Sequence, residues 1–153
     1  MPVKKLMDFL DENQVKYITI AHSMAYTAQE VAASAHVPGR EMAKTVICKL
    51  DGEMGMAVLR AQDKVDMDQL CLATGAEDVE LASEAEFRDR FPGCEPGAMP
   101  PFGNLYGMRV YLEEGLCVDE QIAFNAGTHT ELVRLSYMDF QRLVEPRIAN
   151  FSL

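Results

Sequence analysis

The amino-acid sequence predicts an α+β fold in which short strands are interleaved with helices around one core. Apolar residues recur at helical spacing in some stretches and alternate with polar ones in others. Each stretch is short and bounded by Pro, Gly, Asp or Ser turn signals. No break in composition marks a linker, so residues 1–153 are read as one domain, long enough to bury a real core.

Val3, Leu6, Met7 and Leu10 share one helical face, which predicts a first helix over Val3–Asn13. Tyr17–Ile20 reads as a short strand. Thr27-Ala28-Gln29-Glu30 has the form of a capping box and opens a helix to Ala35, stopped by Pro38-Gly39. Ala43–Leu50 and Met56–Ala61 are strands joined at Asp51-Gly52, a hairpin signal compatible with a longer loop. Asp66 caps a helix to Thr74-Gly75, and Ser83-Glu84-Ala85-Glu86 starts another that runs to Phe91. Pro92–Gly103 holds four prolines and three glycines and is an irregular loop. Strands follow at Arg109–Leu112, Gln121–Phe124 and Leu132–Leu135, and Ser136 caps a last helix, Tyr137–Val144, stopped by Pro146.

Charge and composition exclude several function classes. A net charge of −10 argues against broad coverage of a phosphate backbone, so DNA is not an expected partner and any RNA is gripped locally. Lys4, Lys5, Arg40, Arg60 and Lys64 are the residues available for that grip. No apolar run approaches the roughly 20 residues of a membrane span, and no signal-peptide pattern opens the chain. A cytoplasmic location is expected, with no membrane partner. The four cysteines form no C-x-x-C pair and the three histidines lie far apart, so neither a metal site nor another cofactor is expected. Reduced, mostly buried thiols are the expectation.

Three constellations carry chemistry. Strand alternation puts Lys44, Val46, Cys48 and Leu50 on one otherwise apolar face. Lys44 there either projects its ammonium into a pocket, which Val46 and Cys48 would line, or reaches past the strand end to water. In Glu95–Gly103, prolines fix the path and Gly97 lets backbone approach a ligand. The N–H groups of Gly97, Ala98 and Met99 are then candidates to face a carbonyl oxygen and hold an oxyanion; a rigid surface loop is the plainer alternative. In Asn125–Glu131, small residues flank His129 between two strands, where it could move a proton, bind a ligand hydroxyl or serve the structure alone. His22, just after a strand, could edge a pocket. There is no G-x-S-x-G elbow, no phosphate-binding G-x-x-x-x-G-K-[ST] loop and no G-x-G-x-x-G after a strand. Cys48 and Cys94 have no adjacent histidine to activate them.

Together these elements resemble the YbaK and prolyl-tRNA-synthetase-associated editing domains. The resemblance is carried by His22, the segment Tyr26-Thr27-Ala28-Gln29-Glu30-Val31-Ala32, Lys44-Thr45-Val46, Gly97-Ala98-Met99-Pro100-Pro101-Phe102-Gly103 and Gly127-Thr128-His129. It implies a mixed, barrel-like sheet surrounded by helices. It also implies hydrolysis of the ester joining a wrong amino acid, such as alanine or cysteine, to the terminal adenosine of a tRNA, usually a proline tRNA. By the same likeness Lys44, Gly97 and His129 are the expected catalytic residues. His22, Val46, Cys48, Ala98, Met99, Pro101, Gly127 and Thr128 are the expected substrate contacts. The expected partners are the aminoacyl-tRNA acceptor end and, through the family, prolyl-tRNA synthetase. A non-catalytic module for a free amino acid or nucleotide-like metabolite, or a subunit that docks on a synthetase, is the alternative.

Overall fold

Helix α1, Lys4–Glu12, forms where the apolar spacing requires it and buries Leu6 and Leu10 completely. These are the residues of a computed structural model that describes positions 2–25 and 27–153; Tyr26, part of the family-like segment, lies outside the described residues. Strand β1 (Tyr17–Ala21) precedes helix α2 (Ala28–Ala35). At the start of α2 the Thr27 hydroxyl accepts the Glu30 N–H at 3.1 Å and donates to the Glu30 carboxylate at 2.9 Å. One half of the predicted capping box forms; the carboxylate takes the hydroxyl proton instead of the backbone N–H.

Strands β2 (Ala43–Leu50) and β3 (Glu53–Arg60) pair antiparallel from Ala43↔Arg60 to Leu50↔Glu53, leaving a two-residue loop. Asp51 and Gly52 both take positive φ, 52° and 86°, the backbone that matches the twist of a tight hairpin. Asp66 caps α3 (Met67–Thr74) by accepting the N–H groups of Asp68 and Gln69. Ser83 and Glu86 form the complete reciprocal box at α4 (Glu84–Phe87). This helix is shorter than its pattern predicts, because Arg88–Arg90 continue as a tighter 3₁₀ turn. Strands β5 (Arg109–Glu113), β6 (Gln121–Asn125) and β7 (Glu131–Ser136) and helix α5 (Tyr137–Val144) agree with the sequence within a residue or two. Two strands of three residues, β4 (Val79–Leu81) and β8 (Arg147–Ala149), are additions.

The strands make two sheets, β1-β7-β6 and β4-β2-β3-β5-β8. The larger one is mixed, with β3-β5 and β5-β8 parallel and the other pairs antiparallel. An α+β fold with mixed strands is therefore present, but among the described residues the sheets do not close into a barrel. They meet through the isolated bridge Met42↔Ala123, at the start of β2 and the middle of β6. The main core fills the space between them. Phe102 sits at its centre, with its ring 5.4 Å from those of Phe124 and Phe140 and 6.1 Å from that of Phe9. A smaller cluster (Cys48, Ala57, Leu59, Leu70, Tyr111, Phe151) packs the other face of the large sheet. No helix among the described residues is long and apolar enough to cross a membrane.

Candidate active site

β4 pairs with β2 only over Cys48–Leu50, so the first half of β2 keeps one edge uncovered by that strand. Beside this stretch, at the junction of the two sheets, lies a cavity of about 340 Å³. Ala43, Lys44 and Thr45 come from β2, Ala61 from the end of β3, and Phe124 and Asn125 from the end of β6. Thr27 and Gln29 from the start of α2 complete the wall, with Gly97 and Met99 of the Pro/Gly-rich loop.

Lys44 is half-buried in this wall. Burial lowers its pKa below the ordinary lysine value, with Asp63 opposing the shift and Lys64 adding to it. A lysine placed this way is a cation held against desolvation, suited to meeting developing negative charge.

The loop is built around a turn. Pro96 and Gly97 occupy its corners, Gly97 has φ +84°, and Ala98 N–H donates to Glu95 carbonyl oxygen at 3.0 Å. Proline then a positive-φ glycine is the signature of a type II turn. Ala98 is therefore not an oxyanion donor: its N–H is spent inside the turn, and its side chain is fully buried. The N–H groups of Gly97 and Met99 meet no acceptor among the described residues, and both residues line the cavity.

His129 acts on the loop from beneath. Its ring is buried, and Nε2 donates to Pro96 carbonyl oxygen at 2.8 Å. It also lies 4.0 Å from the Glu95 carboxylate, and its ring is what a side chain at Gly97 would first meet. Gly127 braces the same loop from the next strand connection: its N–H donates to Ala98 oxygen at 2.8 Å and its oxygen accepts Glu95 N–H at 2.7 Å. His129 and Gly127 thus hydrogen-bond the loop, and neither is among the described residues that line the cavity. His129→Ala is expected to lower kcat/KM for the ester hydrolysis that the resemblance implies by roughly tenfold, the scale of one hydrogen bond and its packing. His129→Gln, which restores an N–H at similar reach, should recover most of it. Equal losses in both variants would sink the clamp.

Other expected contacts lie elsewhere. Val46 and Cys48 share the Lys44 face, but further along β2 that face is covered by Leu70 and Phe151. They pack there, because the cavity is confined to the strand's start. Burial pushes the Cys48 thiol up to about 11 and raises that of Cys94 as well, which disfavours a thiolate nucleophile at either. His22 pairs its N–H with Thr130 oxygen at 2.9 Å and its Nδ1 with Ser23 oxygen at 2.8 Å, outside the cavity wall. Thr128 is engaged with Thr130 in the turn after β6, and Pro101 is buried behind the loop. Thr27, Gln29 and Asn125 are wall residues that sequence reasoning missed as such. A polar Asn ending the apolar run Ile122-Ala123-Phe124 was the available signal.

Most basic residues considered for RNA contact are already engaged. Lys4 pairs with Asp8, Arg40 with Asp119 and Arg60 with Asp63, while Lys5 lies over the Tyr106 ring. Lys64 is close enough to Lys44 to influence it, which places one cation beside the cavity.

The aminoacyl-tRNA editing domain model matches residues 22–143, a span that includes every residue of the cavity wall. The chain belongs to the aminoacyl-tRNA editing domain family. As such it is an aminoacyl-tRNA deacylase, a hydrolase of translation fidelity. This editing domain is 28% identical over 153 residues to the Escherichia coli K12 multifunctional Ser/Thr-tRNA deacylase ProXp-y, covering 97% of this chain and 91% of that one. A 76-residue stretch, 50% of this chain and 13% of the other, is 34% identical to the proline–tRNA ligase of Staphylococcus saprophyticus. In fold, the editing domain matches the crystal structure of a candidate trans-editing enzyme for prolyl-tRNA synthetase with a TM-score of 0.83 at 18% identity, over 98% of this chain and 96% of that one.

Proposed function

We propose that the whole chain, 1–153, works as one free-standing domain that removes a small, wrongly attached amino acid from tRNA. The observation that carries this reading is a cavity whose wall holds both half-buried Lys44 and the two loop residues, Gly97 and Met99, whose N–H groups are unspent among the described residues. In this reading water adds to the ester carbonyl, and the oxygen that becomes negative lies toward the two N–H groups. The tetrahedral intermediate then expels the terminal ribose oxygen, which leaves with a proton from water. Lys44 stabilises the developing charge at the carbonyl or at the departing ribose oxygen. An aminoacyl ester is already reactive, so placing water and meeting that charge suffices.

The cavity supports serine or threonine as the cargo. Its inner wall is made of Ala43, Ala61 and Phe124, which limits size, while Thr45 and Asn125 bring polar groups to it. The Escherichia coli relative is named for the same two amino acids. Proline tRNA carrying alanine or cysteine is the second reading, favoured by the likeness of half the chain to a proline–tRNA ligase. A docking partner such as prolyl-tRNA synthetase belongs to that reading. Release of amino acid from Ser-, Thr-, Ala- and Cys-charged tRNAs, each with its own and with the proline tRNA body, separates the two. Faster release of serine and threonine regardless of tRNA body is expected. Release confined to the proline tRNA body would favour the second reading. No release above spontaneous hydrolysis from any of them would overturn both.

A further inference from the structure

One buried side chain in the cavity wall has a polar atom without a partner among the described residues. Asn125 is more than nine-tenths buried, lines the cavity, and its side-chain oxygen has no hydrogen-bond partner among the described residues. Its strand neighbours Phe124 and Ala126 are buried in apolar core, and in the cavity wall Asn125 stands with the buried Ala43, Ala61 and Phe124 as well as with Lys44 and Thr45. Buried amides are nearly always hydrogen-bonded, and one that is not is stabilised by whatever ligand brings the missing group. The backbone of Asn125 is fixed by pairing with Leu132 of β7, which leaves the amide its terminal torsion, a soft one, to present oxygen or nitrogen to a ligand.

We propose that Asn125 reads the side-chain hydroxyl of the amino acid to be removed, an inference that rests on the deacylase reading above. A hydroxyl both donates and accepts, and a primary amide offers the complementary pair. The α-amino group of the ester is the other donor a substrate carries, and its charge places it elsewhere. Among the described residues no carboxylate lines the wall to receive an ammonium, and Lys44 in the same cavity repels one. The exposed Thr27 and Gln29 at the outer end leave that group near water. The side chain then points inward to Asn125, between Ala43, Ala61 and Phe124. A site built to bond a hydroxyl rejects an analogue lacking it, because the buried polar group stays unmet.

The test is the ratio of rates on seryl- and alanyl-esters of one tRNA, for wild type, Asn125→Leu and Asn125→Ala. Wild type is expected to favour serine by about tenfold or more. In both variants that ratio should collapse toward one, whatever the absolute rates. A preference unchanged in a folded variant, or absent in wild type, overturns the proposal; equal losses on both esters would assign Asn125 to the shared part of the substrate instead. Binding of the non-hydrolysable 3′-seryl- and 3′-alanyl-amido adenosines to wild type reads the same preference without turnover. An inactive wild type would therefore sink the deacylase reading while this binding ratio still decides the role of Asn125.

Discussion

Lys44→Ala is expected to lower deacylation kcat/KM by about 10²- to 10³-fold, the usual cost of losing one group that meets developing charge in a water-poor site. The fold should survive the change. Lys44 sits at the start of β2, beside Ala43 and Thr45, and contributes no apolar core. Its lowered pKa carries a sign. Folding disfavours the charged form, so at neutral pH the ammonium opposes stability, and that opposition fades only as pH rises toward the unfolded value of 10.5. Removing it should leave the melting temperature unchanged or raised, so lost activity cannot be assigned to unfolding. The same shift predicts an alkaline limb. If the ammonium is the working form, enzymatic rate over background falls as pH rises through the lowered pKa, before an ordinary lysine would deprotonate. A lysine acting as base would instead give a rate that climbs through that range. Lys44→Arg keeps the charge without titrating and should flatten the limb. An alanine variant within threefold of wild type would remove Lys44 from the chemistry.

Why Lys44 was legible and Asn125 was not is a matter of contrast. A lysine in the run Ala43–Leu50 breaks an apolar strand face, and alternation alone says which neighbours share its side. Alternation could not say where along the strand a cover ends. Val46 and Cys48 were expected in the pocket and instead lie under Leu70 and Phe151, because α3 and the C-terminal segment cover only that part of the face. The loop was legible as rigid, since Pro96 and Gly97 can be read directly as a turn. Its donors were not, because the turn that proline and glycine make consumes the Ala98 N–H. His129 is expected from sequence to move a proton or position a ligand, and its contact with Pro96, 33 positions away in sequence, has no local pattern to announce it. The three-residue strands β4 and β8 were invisible for a simpler reason: three residues are too few to display a period. The two-sheet arrangement rests on which strands stay unpaired at their ends, which is a tertiary property.

Gly103→Ala is expected to be the most destabilising single methyl that can be added near the site. A Cβ there would lie 2.4 Å from Met108 carbonyl oxygen and 2.7 Å from a Val110 methyl, so something must move. Little can. The Gly103 oxygen accepts the N–H groups of both Tyr106 and Met108 at 2.9 Å, and Val110 is already committed to β5 between β3 and β8. Overpacking of this kind costs about 3 kcal/mol, equivalent to a fall of roughly 6–12 °C in melting temperature for a chain this size. The strain also has a direction. Phe102, next to Gly103, is the ring on which Phe9, Phe124 and Phe140 converge, and Phe124 is itself cavity wall. Displacing Phe102 therefore moves the loop carrying Gly97 and Met99 as well as the wall opposite, and activity should fall further than stability alone explains. Gly39→Ala is the control: a Cβ there would meet only the Gln62 side-chain oxygen, at an ordinary 3.4 Å. Thermal melts and deacylation rates of the two variants together check the argument. If Gly103→Ala melts within 2 °C of wild type, as estimated for a change under about 1 kcal/mol, the contact with Met108 is not the constraint that sets this loop.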